Sequence, residues 1–272
     1  MNAPIGVFDS GIGGLSVLKA LRTAMPHDDF IYLADSGHAP YGERDTAHVL
    51  ARSRAVAQYL VGQNIKALVV ACNTATASSI DQLRAEHPHL PIIGVEPALR
   101  PAVPLSKTGR IGVMATRSTL ASARFQTLLA AQTGLSEFVL QPCDGLADAI
   151  ERGVSMDDAT EIIAACVRNT AAMGLFGTQP GQIDTLVLGC THYPFVSEHL
   201  QALVGVDVRL VENGEAVARQ TQRLLHAAAG STGPALLGPG RIRLITTGDA
   251  EILTAAAGQW LVLRAPVDLL HI

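Results

Sequence analysis

Two runs of four apolar or small residues, Leu68-Val69-Val70-Ala71 and Leu186-Val187-Leu188-Gly189, carry no polar interruption. Continuous runs of this kind, rich in branched side chains, predict strands buried on both faces, as in parallel sheets flanked by helices. Comparable runs at 4–8, 30–34, 91–95, 110–115, 138–141, 206–211 and 241–246, with a short last one near the end, predict further strands. Between them the apolar period changes to that of a helix. Leu15, Leu18 and Leu21 mark one helix, which Pro26 stops. Val49, Ser53, Val56 and Leu60 share one face of a second. Helices are also expected over 78–86, 120–131, a short stretch through Glu151, 157–173, 194–203, 215–228 and 250–257. Strands alternating with helices predict an α/β fold. Pro104 to Gly109 reads as a linker, and the Gly/Pro/Ser-rich stretch Gly230 to Gly240 as an exposed loop.

The strand candidates repeat. Ile5-Gly6-Val7 returns as Ile111-Gly112-Val113 after 106 residues, and Ile93-Gly94-Val95-Glu96 is echoed by Arg209-Leu210-Val211-Glu212 after 116. The two four-residue runs deliver Cys72 and Cys190, 118 residues apart (190 − 72). Three elements in the same order at similar spacing point to a duplicated α/β unit, the second beginning at Arg110. Strand 206–211 is expected to return toward the first unit.

Composition narrows the function classes. The 272 residues are 48% hydrophobic and 16% charged, with a net charge of −4, a globular profile large enough for two domains. No basic run or aromatic-plus-basic stripe offers a nucleic-acid footprint. No apolar run approaches the roughly 18 residues of a membrane span. The N-terminus enters a strand at Pro4 to Phe8 without a positive region and apolar core, so the cytoplasm is the expected compartment. None of the four cysteines forms a C-x-x-C pair, and reduced thiols are expected. Cys166 lies among Ile162, Ile163 and Val167 and reads as a small core residue, as does Cys143 in its loop. No metal or cofactor motif is present. The turn Asp9-Ser10-Gly11-Ile12-Gly13-Gly14 can seat an anion but lacks the G-x-G-x-x-G spacing. None of Lys19, Lys66 and Lys107 follows a glycine-rich strand end, which disfavours pyridoxal chemistry.

A polar group just past a parallel strand sits at the sheet edge where α/β proteins bind ligands. Cys72 and Cys190 both occupy such places. A thiol works as a base only as thiolate, so each needs a neighbour that manages its proton. Asp9 ends another predicted strand and is the candidate beside Cys72; the alternative is a helix N-cap. His192 follows Cys190 by two residues; the alternative is a loop histidine. A hydrolase would use one cysteine and leave the other unexplained. Two matched thiols suit racemisation, in which one base removes a proton and the other supplies one from the opposite face.

The stretches Val7-Phe8-Asp9-Ser10-Gly11-Ile12-Gly13-Gly14, Ala34-Asp35 with Pro40-Tyr41-Gly42, Ala71-Cys72-Asn73-Thr74-Ala75, Gly112-Val113-Met114-Ala115-Thr116 and Leu188-Gly189-Cys190-Thr191-His192-Tyr193-Pro194 resemble the cofactor-independent aspartate/glutamate racemase superfamily, and within it the glutamate racemases. The resemblance implies interconversion of L- and D-glutamate for peptidoglycan, with no cofactor. It implies two similar α/β domains, 1–97 with 208–272 and 98–207, and an active site in the cleft between them. It further implies that Cys72 takes the α-proton of D-glutamate, assisted by Asp9, and Cys190 that of L-glutamate, assisted by His192, which Glu151 orients. Ser10, Tyr41, Gly42, Asn73, Thr74 and Thr191, with Asp9 and His192, would hold the amino acid. The expected partners are glutamate and a second copy of the chain as homodimer, with no nucleic acid and no membrane. Asp144 stands where the family usually has proline, and Glu212-Asn213-Gly214 replaces a usual Asp-Ser pair; the latter receives no catalytic role.

Overall fold

A computed structural model describes residues 3–156, 159–229 and 238–272. Most of the expected 230–240 loop and the expected helix start at 157–158 lie outside them. The strands are β1 (Ile5–Asp9), β2 (Phe30–Ala34), β3 (Ala67–Val70), β4 (Ile92–Gly94), β5 (Arg110–Ala115), β6 (Glu137–Pro142), β7 (Thr185–Leu188), β8 (Arg209–Val211), β9 (Ile242–Thr246) and β10 (Val267–Leu269). The α-helices are α1 (Leu15–Ala24), α2 (Thr46–Gly62), α3 (Asn73–Glu86), α4 (Leu99–Ala102), α5 (Arg117–Ala121), α6 (Ala123–Ala130), α7 (Leu146–Met156), α8 (Thr160–Ala171), α9 (Ser197–Val204), α10 (Gly214–Ala229) and α11 (Ala250–Leu261).

These elements form two compact units, Met1–Val95 with Gly214–Ile272, and Glu96–Asn213. The first holds a six-stranded sheet in the order β10-β9-β2-β1-β3-β4, the second a four-stranded sheet in the order β6-β5-β7-β8. Every pairing is parallel. The order β2-β1-β3-β4 therefore recurs as β6-β5-β7-β8, the structural counterpart of the sequence echo.

The continuous apolar runs are buried as their pattern requires. Leu68, Val69 and Val70 of β3 and Leu186, Val187 and Leu188 of β7 have no exposed surface. Burying each such side chain contributes about 1.5–3 kcal/mol. In the first unit Phe8, Leu33, Leu68 and Val70 pack against Val49, Val56 and Leu60 of α2. In the second, Ile111, Val113 and Val187 pack with Leu99 and Phe125.

Four expectations change. Residues 209–211 do not return toward the first unit: β8 pairs with β7, with Leu186 opposite Leu210 and Val187 opposite Val211. Residues 96–97 and 208–213 accordingly cluster with the second unit. The 104–109 stretch is not a loose linker. The buried Asp184 carboxylate accepts hydrogen bonds from the Ser106 hydroxyl and the amides of Lys107 and Thr108. The expected helix 120–131 breaks in two, because Thr116 caps one segment at Thr119 and Ser122 caps the next at Phe125. Lastly, α3 begins at Asn73 rather than 78. Its first turn is made of small, mostly polar residues, which carry no apolar period.

Candidate active site

In the first unit the candidate residues gather at the carboxyl ends of β1, β2 and β3. Neighbouring strands β1 and β3 deliver Asp9 and Cys72, and Ala71 N–H donates to Phe8 C=O at 2.7 Å to carry the pairing to the sheet edge. Cys72 is the N-cap of α3, and its Sγ accepts from Ala75 N–H at 3.4 Å. A helix N-terminus and a donated N–H both stabilise negative charge on sulfur. The Ser10 hydroxyl lies 3.6 Å from Cys72 Sγ and 3.5 Å from Asp9 Oδ1. Ser10 thus links the Asp9 carboxylate to the thiol.

Asp9 is not the cap of α1; Gly14 holds that position without a side-chain bond. Asp9 Oδ1 instead accepts from Gly11 N–H at 2.8 Å, folding the glycine-rich turn over the strand end. The Tyr32 hydroxyl donates to Gly11 C=O at 2.6 Å from below. Gly14 is required by close approach: a Cβ there would stand 2.6 Å from Asp9 Cβ. Asn73 and Thr74 form the buried first turn of α3.

Tyr41 and Gly42 lie in a short 3₁₀ turn, and a buried network that sequence reasoning did not foresee fixes it. The Tyr41 hydroxyl donates to Asp35 Oδ2 at 2.5 Å. Arg52 reaches the same carboxylate with Nε at 3.0 Å and Nη2 at 2.8 Å, and the Thr247 hydroxyl donates to Oδ1 at 2.8 Å. Burial pushes the Asp35 carboxyl up, but the bonds from Arg52, Tyr41 and Thr247 outweigh it and hold it below its usual range. Only Asp35 had a visible signal, as a lone acid past a strand. Arg52 and Thr247 come from a helix and a distant segment with no tell-tale spacing.

In the second unit β7 ends at Leu188 and delivers Cys190. Gly189 N–H donates to Met114 C=O at 2.7 Å, and a Cβ at Gly189 would meet that oxygen at 2.8 Å. Thr191, buried, connects Cys190 to His192. His192 Nδ1 lies 3.6 Å from Cys190 Sγ, and Nε2 lies 2.7 Å from Glu151 Oε1 on α7. The loop-histidine alternative does not hold, since the ring is buried and engaged at both nitrogens. Burial works against the imidazolium, but the Cys190 sulfur and the Glu151 carboxylate outweigh it, so His192 keeps its proton well above its ordinary 6.5. Asp144 does not displace Glu151: it forms an ion pair with Arg117 at the surface, and α7 still carries Glu151 to the imidazole.

The other two thiols differ. Burial pushes Cys166 up to about 11 and Cys143 further still. Neither has a proton-handling partner of the His192 kind among the described residues, and Cys143 Sγ faces Gln141 C=O at 3.4 Å. Among the described residues no cluster of histidine, cysteine and acidic side chains could hold a metal ion, and no helix is long and apolar enough to cross a membrane.

The model of a family described as Asp/Glu/hydantoin racemase matches residues 14–221. A glutamate racemase of Ectopseudomonas mendocina is 46% identical over 224 residues, which cover 82% of each chain. A glutamate racemase crystal structure from Bacillus anthracis superposes with a TM-score of 0.86 at 29% identity, covering 100% of this chain and 98% of that one. The Escherichia coli glutamate racemase in complex with L-glutamate and the activator UDP-MurNAc-Ala gives a TM-score of 0.84 at 28% identity, covering 99% and 98%.

Proposed function

The chain belongs to the Asp/Glu/hydantoin racemase family, and we propose that it interconverts L- and D-glutamate by proton transfer through two thiols, without a cofactor. The observation that carries this reading is the wiring of two thiols at equivalent strand ends. Cys72 is linked through Ser10 to Asp9, and Cys190 is linked to His192 and Glu151. The two thiols that lack such wiring are held protonated by burial.

In the L-to-D direction the Cys190 thiolate takes the α-proton, and the electron pair spreads into the substrate carboxylate. The Cys72 thiol then gives its proton to the opposite face of the planar carbanion. Cys190 ends as thiol and Cys72 as thiolate, and exchange with solvent restores the starting state. His192 stabilises the Cys190 thiolate as a cation, and Glu151 holds the imidazolium. Asp9, through Ser10, receives and returns the Cys72 proton. Asn73, Thr74, Tyr41 and Gly42 of the first unit and Thr191 of the second would supply the groups that hold the carboxylates and ammonium. Supply of D-glutamate for peptidoglycan, a cytoplasmic location and a homodimeric assembly complete the reading.

Turnover in deuterated water tests it. Newly formed D-glutamate should carry deuterium at Cα from the first turnover, because Cys72 equilibrates with solvent before donating. Remaining L-glutamate should gain little, since its re-formation returns the original proton. Substantial protium in the early D-glutamate, measured by mass spectrometry of separated enantiomers, would show a single swinging base instead. Parallel assays on aspartate fix the substrate.

A further inference from the structure

We propose that Asn213 is a positioning residue for Cys190, an inference that rests on the racemase reading above. Asn213 follows β8 and directly precedes α10. An asparagine in that place ordinarily turns its side-chain oxygen back onto an amide of the helix's first turn. Here Oδ1 is buried without a hydrogen-bond partner, and Nδ2 donates instead to Leu188 C=O at 3.4 Å. The carboxamide gives up capping and spends its donor on the strand that delivers the thiol.

The acceptor explains why. The backbone pairing of β7 with β8 ends at Val187 opposite Val211. Leu188 C=O is one residue past that ladder and two residues before Cys190. On the β5 side the strand end is held by Gly189 N–H on Met114 C=O. On the β8 side the Asn213 amide adds the next rung. The thiol is thereby held from both flanks.

The first unit contains the same device with donor and acceptor strands exchanged. Pairing of β3 with β4 ends at Val70 opposite Gly94, and Val95 C=O is one residue past it. Asn73, directly after Cys72, donates Nδ2 to that oxygen at 3.5 Å, and its Oδ1 is likewise buried without a partner. In each unit an asparagine extends the ladder between the thiol strand and the edge strand by one rung. In the first unit the lock sits beside the cysteine. In the second, Thr191 and His192 occupy the places after Cys190, and the lock comes from the edge strand at 213. Asn213 does for Cys190 what Asn73 does for Cys72.

The test is Asn213→Ala, with Asn213→Asp as the isosteric variant that removes the donor. Misplacing Cys190 should lower kcat/KM on the order of tenfold, equally in both directions because the equilibrium is fixed. It should also make the transfer at Cys190 more rate-limiting. The primary isotope effect with α-deuterated L-glutamate should rise, and that with α-deuterated D-glutamate should fall. A residue needed only for folding would lower the melting temperature and move neither isotope effect; that result, or kcat/KM within twofold of wild type, overturns the proposal. A comparison free of substrate separates this from the functional reading. The rate and pH profile of iodoacetamide labelling at Cys190 should change in either variant, while Cys72 labelling stays as in wild type. If wild type fails to racemise glutamate, the functional reading falls, and unchanged Cys190 labelling would still reject the role of Asn213.

Discussion

Cys72 and Cys190 each stand two residues past a strand, β3 and β7, that holds the same place in the shared order β2-β1-β3-β4 and β6-β5-β7-β8, yet the groups around them differ. Around Cys72 lie the start of α3, a backbone amide and a hydroxyl that also reaches Asp9. Around Cys190 lie the His192 imidazole, whose proton is held well above its ordinary range, and the Glu151 carboxylate behind it. The first set is a helix start, a backbone amide and a hydroxyl with a carboxylate behind it; the second is a buried imidazole, its proton held well above the ordinary range, with a carboxylate behind it. The two units thus keep the strand end and differ in the side chains around it, because the backbone fixes the thiol's position and leaves its neighbours free to vary.

The comparison breaks most completely if either thiol is removed. Cys72→Ala and Cys190→Ala should each lower racemisation about a thousandfold or more in steady-state assays while leaving the folded circular dichroism spectrum intact. Wild-type turnover by either variant would remove that thiol from the scheme.

Removing a helper sharpens the asymmetry. His192→Asn should reduce kcat in the L-to-D direction about a hundredfold, more than Asp9→Asn does. Because the ratio of kcat/KM values is fixed by the equilibrium, the difference must appear in kcat and KM separately, and identical profiles would undo the pairing of each thiol with its own helper. The same variant has a pH signature. His192 binds its proton more tightly folded than unfolded, so its contribution to stability is complete below about 6.5 and is lost as pH rises through its folded value. The melting-temperature gap between wild type and His192→Asn should narrow between pH 6 and the alkaline range.

A smaller effect concerns the first unit alone. Asp35→Asn leaves the Arg52 guanidinium against a neutral group and weakens the turn that carries Tyr41. It should cost about 3 kcal/mol in denaturant unfolding at neutral pH. The native Asp35 binds its proton more weakly than the unfolded chain, so its contribution is present above 3.8 and fades as pH falls through its folded value. The variant should therefore converge with wild type in acid.

The smallest effect is at a thiol outside the scheme. Cys166→Ala should cost about 1 kcal/mol of stability and leave turnover unchanged. Iodoacetamide at pH 8 should label Cys72 and Cys190 well before Cys166, whose thiol is pushed up to about 11.

The strand-delivered thiols were legible because a buried parallel strand must read as an unbroken apolar run, and a polar residue just past it has only the sheet edge to occupy. The same logic exposed Asp9 and the face of α2 bearing Val49, Ser53, Val56 and Leu60, all of which the fold buries. The repeat was legible because equivalent strands need equivalent apolar patterns. Helix α3 starts earlier than its apolar pattern indicates, because Asn73, Thr74 and Thr76 are buried polar residues, which hydrophobic periodicity does not register.

Local pattern and order along the chain thus determined the fold class and the placement of both cysteines at strand ends, since those depend on short-range periodicity and on which residues can be buried. Tertiary structure alone decided that β8 joins β7, that Ser10 bridges Asp9 and Cys72, that Asp35 gathers Tyr41, Arg52 and Thr247, and that Asn213 turns to Leu188 rather than capping a helix. Each of these is a directional contact of a few ångströms, and in all but the Ser10 bridge to its neighbour Asp9 the partners are set by topology rather than by spacing along the chain. A pattern of apolar positions says which residues leave water; it does not say which polar atoms meet once they have left it.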